Sequence, residues 1–246
     1  MVNVLACSWC LPSTLKRLNN GLTIPWVNLG AILFPLLLSF NKWGHFYKRW
    51  KYLFIAIAVM WVCIISWDVL FTMLGVWGFN EEYLLGPSLL HLPLEEWLFF
   101  LCIPYAFMFL YDQLVVLQVK SFLKPAEKYL DYFFIAVAAV YPIAGYGHIY
   151  TTPVPVLVII FSLIMIKLNT PNRGIFYLSY AIILIPFTAV NGILTGYITP
   201  SPIVWYNDAE NLGIRFLTIP IEDYLYYFLM YGICYVVYER VKPAVR

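Results

Sequence analysis

Two short stretches of this 246-residue chain set adjacent acids at the start of an apolar run: Pro93-Leu94-Glu95-Glu96-Trp97 and Pro220-Ile221-Glu222-Asp223-Tyr224. Proline suits a first helical turn, where its missing N–H would be unpaired anyway, and acids in that turn meet the positive end of the helix dipole. A cap needs one such residue, and Ser, Thr, Asn or Asp would serve. A pair can do more. Two carboxyls so close resist joint ionisation and can share a proton, so one can act as general acid while another acts as base. Sequence neighbours on a helix point about 100° apart, so one acid of each pair faces a substrate squarely. Glu95 and Glu222, identical in the two motifs, are the expected pair, with Glu96 and Asp223 beside them.

Other polar residues are weighed against these four. Asp68 lies inside a long apolar run, where an ionisable group is a functional candidate by default. Asp112 sits toward the far end of its run with no acidic echo and reads as an interfacial or helix-pairing residue. His91 precedes the first motif closely enough to exchange protons with it. His45, His91 and His148 are scattered, and no pair has metal-ligand spacing, so no metal is expected.

The elements that must position these residues are read from composition. The chain is 63% hydrophobic and 11% charged, with a mean hydropathy of +0.79, far from the balance of a soluble domain. A net charge of +2 implies no nucleic-acid partner; the partner is the lipid bilayer. Runs near residues 22–40, 51–74, 94–117, 130–148, 152–168, 174–197 and 219–238 approach the roughly 20 residues that a membrane span requires. The expected fold class is an all-α membrane protein with seven transmembrane helices. Inner loops carry 12 of the 15 Lys and Arg residues if the N-terminus is outside and the C-terminus in the cytoplasm. In a bacterium this would be a multi-pass protein of the plasma membrane.

An internal repeat organises the spans. An offset of 127 carries Asn80 to Asn207, Glu81 to Asp208, Gly86 to Gly213, Pro93 to Pro220, Glu95 to Glu222 and Glu96 to Asp223. Upstream, Asp68-x-x-x-Thr72 is answered by Asn191-x-x-x-Thr195. Spans one to three thus match spans five to seven in the same sense, as two parallel three-helix repeats joined by a connector helix. The expected division is 1–21 as an N-terminal segment, 22–119, a connector over 120–150, and 151–240. A pseudo-two-fold axis along the membrane normal would bring both acid pairs to one crevice. Asp68, Asn191, Asn80 and Asn207 would then support them, and because Asn191 cannot titrate the halves are not chemically equivalent.

Several chemistries find no support. Gly145-Tyr146-Gly147 lacks the third glycine of a dinucleotide loop, and no phosphate-cradling glycine-lysine motif is present. Cys7 and Cys10 form a C-x-x-C without βαβ context, which carries no redox or metal role. Five tyrosines, Tyr224, Tyr226, Tyr227, Tyr231 and Tyr235, lie in the last span. Aromatic rings serve packing first, yet ring faces lining a crevice also stabilise a carbocation.

Trp67-Asp68, the run Gly75-Val76-Trp77-Gly78-Phe79-Asn80, Pro93-Leu94-Glu95-Glu96 and Ile219-Pro220-Ile221-Glu222-Asp223-Tyr224 together resemble the integral-membrane lycopene cyclases. That family includes heterodimeric bacterial enzymes, whose two small subunits correspond to the two halves here, and the cyclase portion of the fungal bifunctional phytoene synthase/lycopene cyclase. The resemblance spans about residues 22–240. It implies closure of the linear ψ ends of lycopene, or of a related acyclic carotenoid, into β-ionone rings, an isomerisation with no cofactor. Other carotenoid-pathway enzymes become possible partners. Relatives make ε rings on C50 carotenoids or hydrate the end group. From a different class, a transporter or channel would use the acids as a proton or cation relay, and a structural subunit would use them for no chemistry.

Overall fold

The computed structural model describes residues 21–243; Cys7 and Cys10 lie outside them. Seven α-helices account for most of this length: α1 (Thr23–Leu38), α2 (Trp50–Met73), α3 (Leu94–Val116), α4 (Glu127–Ala144), α5 (Pro153–Lys167), α6 (Arg173–Leu194) and α7 (Glu222–Val241). Three apolar helical segments, Phe46–Met73, Leu94–Val116 and Arg173–Leu194, are long and apolar enough to cross a membrane. At about 1.5 Å per residue, the 24 residues of α2 reach about 36 Å, more than the hydrocarbon thickness of a bilayer. Helices α1 and α5 are apolar but shorter. Helix α4 opens on Glu127, Lys128 and Asp131, and α7 carries charge at both ends.

Helices α3 and α7 occupy the centre. Helix α3 packs on α1, α2, α6 and α7, and α7 on α2, α3, α5 and α6. The interior of α7 is aromatic: Tyr227, Tyr231, Tyr235 and Tyr238 are almost fully buried. Phe176 of α6 stacks on Tyr231 and Tyr235 at 4.9 and 4.5 Å between ring centroids. Tyr235 Oη donates to the Pro171 carbonyl at 2.6 Å, and Tyr231 pairs with the Ser179 hydroxyl. Buried phenols need such partners, particularly where no water is at hand.

The loops entering α3 and α7 are built alike. Strands β2 (Ser88–Leu89) and β3 (Leu92–Pro93) form one small hairpin, β5 (Arg215–Phe216) and β6 (Ile219–Pro220) the other, in equivalent registers. Pro93 and Pro220 are therefore the last residues of strands, just ahead of the helices they were expected to open. Leu94 N–H donates to Pro87 O, as Ile221 N–H does to Ile214 O. Gly86 and Gly213 hold φ of +111° and +66°, a conformation that L residues rarely adopt.

Strands β1 (Trp77–Phe79) and β4 (Val204–Tyr206) join the two halves as an antiparallel pair centred on Gly78 opposite Trp205. Trp77 faces Tyr206 and Phe79 faces Val204, and an offset of 127 exchanges one pairing for the other. The flanking bonds Asn80 N–H to Ile203 O, 2.8 Å, and Asn207 N–H to Val76 O, 2.9 Å, are exchanged in the same way. A local two-fold axis thus passes through this pair. Gly78 is required there, because a Cβ would lie 2.4 Å from the Trp205 ring.

At the opposite end of α3 and α7 the same axis reappears. Tyr111 Oη donates to Glu239 at 2.6 Å, and Tyr238 Oη to Asp112 at 2.5 Å. The expectation that Asp112 has no acidic counterpart is corrected: Tyr111-Asp112 maps by the same offset onto Tyr238-Glu239. Arg49 pairs with Asp112 and Lys242 with Glu239.

Candidate active site

Glu95 and Glu222, the acids expected to face a substrate, are turned onto their own loops. Glu95 Oε1 accepts from Leu85 N–H at 2.5 Å, and Glu222 Oε1 from Leu212 N–H at 2.8 Å. These are the same bond in the two halves, closing each loop onto the first turn of its helix. Glu222 also accepts from Thr151 Oγ1 at 2.7 Å, while the backbone carbonyl of Glu95 receives Asn28 Nδ2 at 3.0 Å. Successive residues on a helix are about 100° apart, so turning one acid of each pair onto its loop swings its neighbour inward by that step.

The neighbours meet. Glu96 and Asp223 line one cavity of about 60 Å³ together with Asp68 and Asn191. Its other walls are mostly aromatic, among them Trp77, Phe99, Phe187, Tyr206, Tyr226 and Tyr227. Of the residues marked out in the sequence, four therefore converge. Asn80 and Asn207 do not line it: Asn80 Oδ1 caps a turn by accepting from Glu82 N–H, and Asn207 Oδ1 accepts from Ala209 N–H. His91 is exposed with φ of +64° at the hairpin tip, away from this cavity.

The two sides of the cavity differ in hydrogen bonding. Asp223 receives three donors, Tyr150 Oη at 2.6 Å, Tyr206 Oη at 2.8 Å and Asn191 Nδ2 at 3.0 Å. Burial and the adjacent Asp223 carboxylate push both phenols well above the ordinary tyrosine range, so they remain protonated donors. Glu96 and Asp68 lie on the other side, and Asp68 Oδ2 is buried without a partner among the described residues. Asp68 stands where the second half has Asn191, and Phe79 where it has Tyr206. Each exchange removes a donor from the first half and supplies one to the second.

Tyr150 and Tyr206 were not marked out by sequence reasoning. The Phe79/Tyr206 difference within matched runs was a readable signal for one; Tyr150, on the loop before α5, offered none. Among the described residues, no three His, Cys, Asp or Glu side chains are grouped so as to hold a metal ion.

A largely apolar helical protein with segments long enough to cross a membrane, and with a buried carboxyl cluster among aromatic rings, has the make-up of a membrane-associated enzyme. The family is narrower. The family model described as lycopene cyclase matches residues 21–114 and 147–241, one segment in each half, and the chain belongs to that family. It is a cyclase of the isomerase type acting in carotenoid synthesis. No curated protein and no solved structure matches the chain.

Proposed function

We propose that this enzyme closes the ψ end group of lycopene, or of a related acyclic carotenoid, into a β-ionone ring by an acid-initiated carbocation cascade. The observation that carries the reading is the unequal treatment of two equivalent acids among the described residues, Glu96 without a hydrogen-bond donor and Asp223 with three. In the proposed cycle Glu96, sharing a proton with Asp68, protonates the terminal double bond. The next double bond attacks the cation and closes the ring. Asp223, held as an acceptor by Tyr150, Tyr206 and Asn191, then removes a ring proton. One proton enters at one carbon and one leaves from another, so no electron acceptor or donor is needed. The aromatic walls stabilise the cation through their ring faces. Glu95 and Glu222 take a positioning role, pinning the loops that aim their neighbours.

All seven helices cross the bilayer in this reading, with the acid chamber near the outer face and the C-terminus in the cytoplasm, as two three-helix units around the pseudo-two-fold axis. A proton or cation relay is disfavoured because Asp68, Glu96 and Asp223 gather in one chamber among aromatic rings. Expression in lycopene-accumulating cells tests the proposal: pigment should shift to monocyclic or bicyclic β-carotenoids. Correctly inserted protein that leaves both lycopene and an acyclic C50 carotenoid unchanged would contradict it.

A further inference from the structure

The acid chamber shares walls with two other cavities of opposite character. One shares Trp77 and Phe79 and is lined by Glu81, Ser88 and His91 on the loop side. The other, about 210 Å³, lies between α2, α5 and α7 and is apolar; Ile64, Trp67, Leu157, Phe161, Leu229 and Ile233 form its walls. Its residues on α5 run from Val154 to Ile164, which at 1.5 Å per residue is a trough of about 15 Å. Ile160 and Ile164, about half exposed, form its outer lip.

Tyr226 is common to the chamber and the trough. Its hydroxyl is buried without a hydrogen-bond partner among the described residues, so the ring can move without breaking a hydrogen bond to them. Movement is needed: about 60 Å³ is room for a few waters, each with a liquid share of about 30 Å³, and not for a branched isoprenoid end. A conjugated polyene is stiff and apolar. With its end among the acids it must run straight out, and of the two neighbouring cavities the trough is the apolar one.

We propose that the trough between α2, α5 and α7 holds the polyene chain of the substrate, entered from the lipid, and that Tyr226 swings aside to admit its end to the acids. This rests on the cyclase reading above. The chain of a membrane lipid is the competing occupant, and the experiment separates the two. The full-length protein in phosphatidylcholine vesicles containing lycopene carries an aliphatic diazirine side chain at position 157, or at 160 on the lip. A third version carries it at position 185 on α6, where Ile185 is 77% exposed. After photolysis, adducts are identified by mass. Polyene adducts at 157 and 160 should exceed those at 185 by about tenfold at equal lipid content. Equal yields at all three positions, or lipid adducts alone at 157 and 160, would overturn the proposal. Capture by a chain that fails to cyclise lycopene leaves the trough standing and removes the cyclase reading; cyclisation without capture does the reverse.

Discussion

Asn191→Asp puts the difference between the halves to the test, because it gives the second half the residue that the first half has at Asp68. In the native protein Asn191 Nδ2 donates to Asp223 Oδ2 at 3.0 Å. The substitution removes that donor and sets a second carboxyl beside Asp223 in nearly the same shape. A hydrogen bond to a charged group is worth about 1.5–3 kcal/mol. At about 1.4 kcal/mol per decade, its loss reduces the population of Asp223 competent to take a proton about 10- to 150-fold. Repulsion between the two carboxyls adds to the effect. The assay is turnover of lycopene by protein in vesicles, with cyclic and acyclic pigments separated chromatographically. We expect kcat to fall by that factor with KM little changed, since Asn191 contributes a small part of a largely aromatic wall. A correctly inserted Asn191→Asp variant with kcat within twofold of the native protein would refute the assignment of Asp223 as the base.

The acid pairs separate by the same assay. Glu96→Gln should lower kcat about 10²- to 10⁴-fold, the usual range for loss of a general acid. Glu95→Gln and Glu222→Gln, which still accept from Leu85 N–H and Leu212 N–H, should keep most of the activity; loss in these and not in Glu96→Gln would reverse the assignment. At the other end of the bundle, Tyr111→Phe and Tyr238→Phe remove the reciprocal bonds to Glu239 and Asp112. Each should cost about 1–3 kcal/mol and lower the midpoint of thermal unfolding, with product composition unaltered; unchanged midpoints in both would show that this seam does not hold the halves together.

Much of the frame was legible because the repeat preserves register. Gly86 and Gly213, Pro93 and Pro220, and the acids that follow sit at one offset, and the hairpins and loop bonds recur at that offset. Which acid of each pair faces inward was not legible. The choice is made by Leu85 and Leu212, whose N–H groups each reach ten residues along to a carboxylate, and no local pattern announces such a bond. Proline at the end of a strand and proline in a first helical turn also look alike in sequence, as each precedes a helix. The echo of Asp112 in Glu239 was present but disguised, since the acid changes type between halves. Tyr150 comes to Asp223 from a loop 73 residues away, a contact that only the packing of α5 against α7 creates.

The source of the proton is the centre of the account. In the proposed cycle Glu96 exchanges its proton with solvent between turnovers, and that proton ends on carbon, whereas the later deprotonation occurs at a different carbon. Lycopene cyclised in D₂O should therefore carry one non-exchangeable deuterium for each ring formed, read as one mass unit per ring in the purified pigment. Cyclic product formed wholly in D₂O without deuterium would contradict proton delivery from a carboxylic acid, and with it the role given to Glu96.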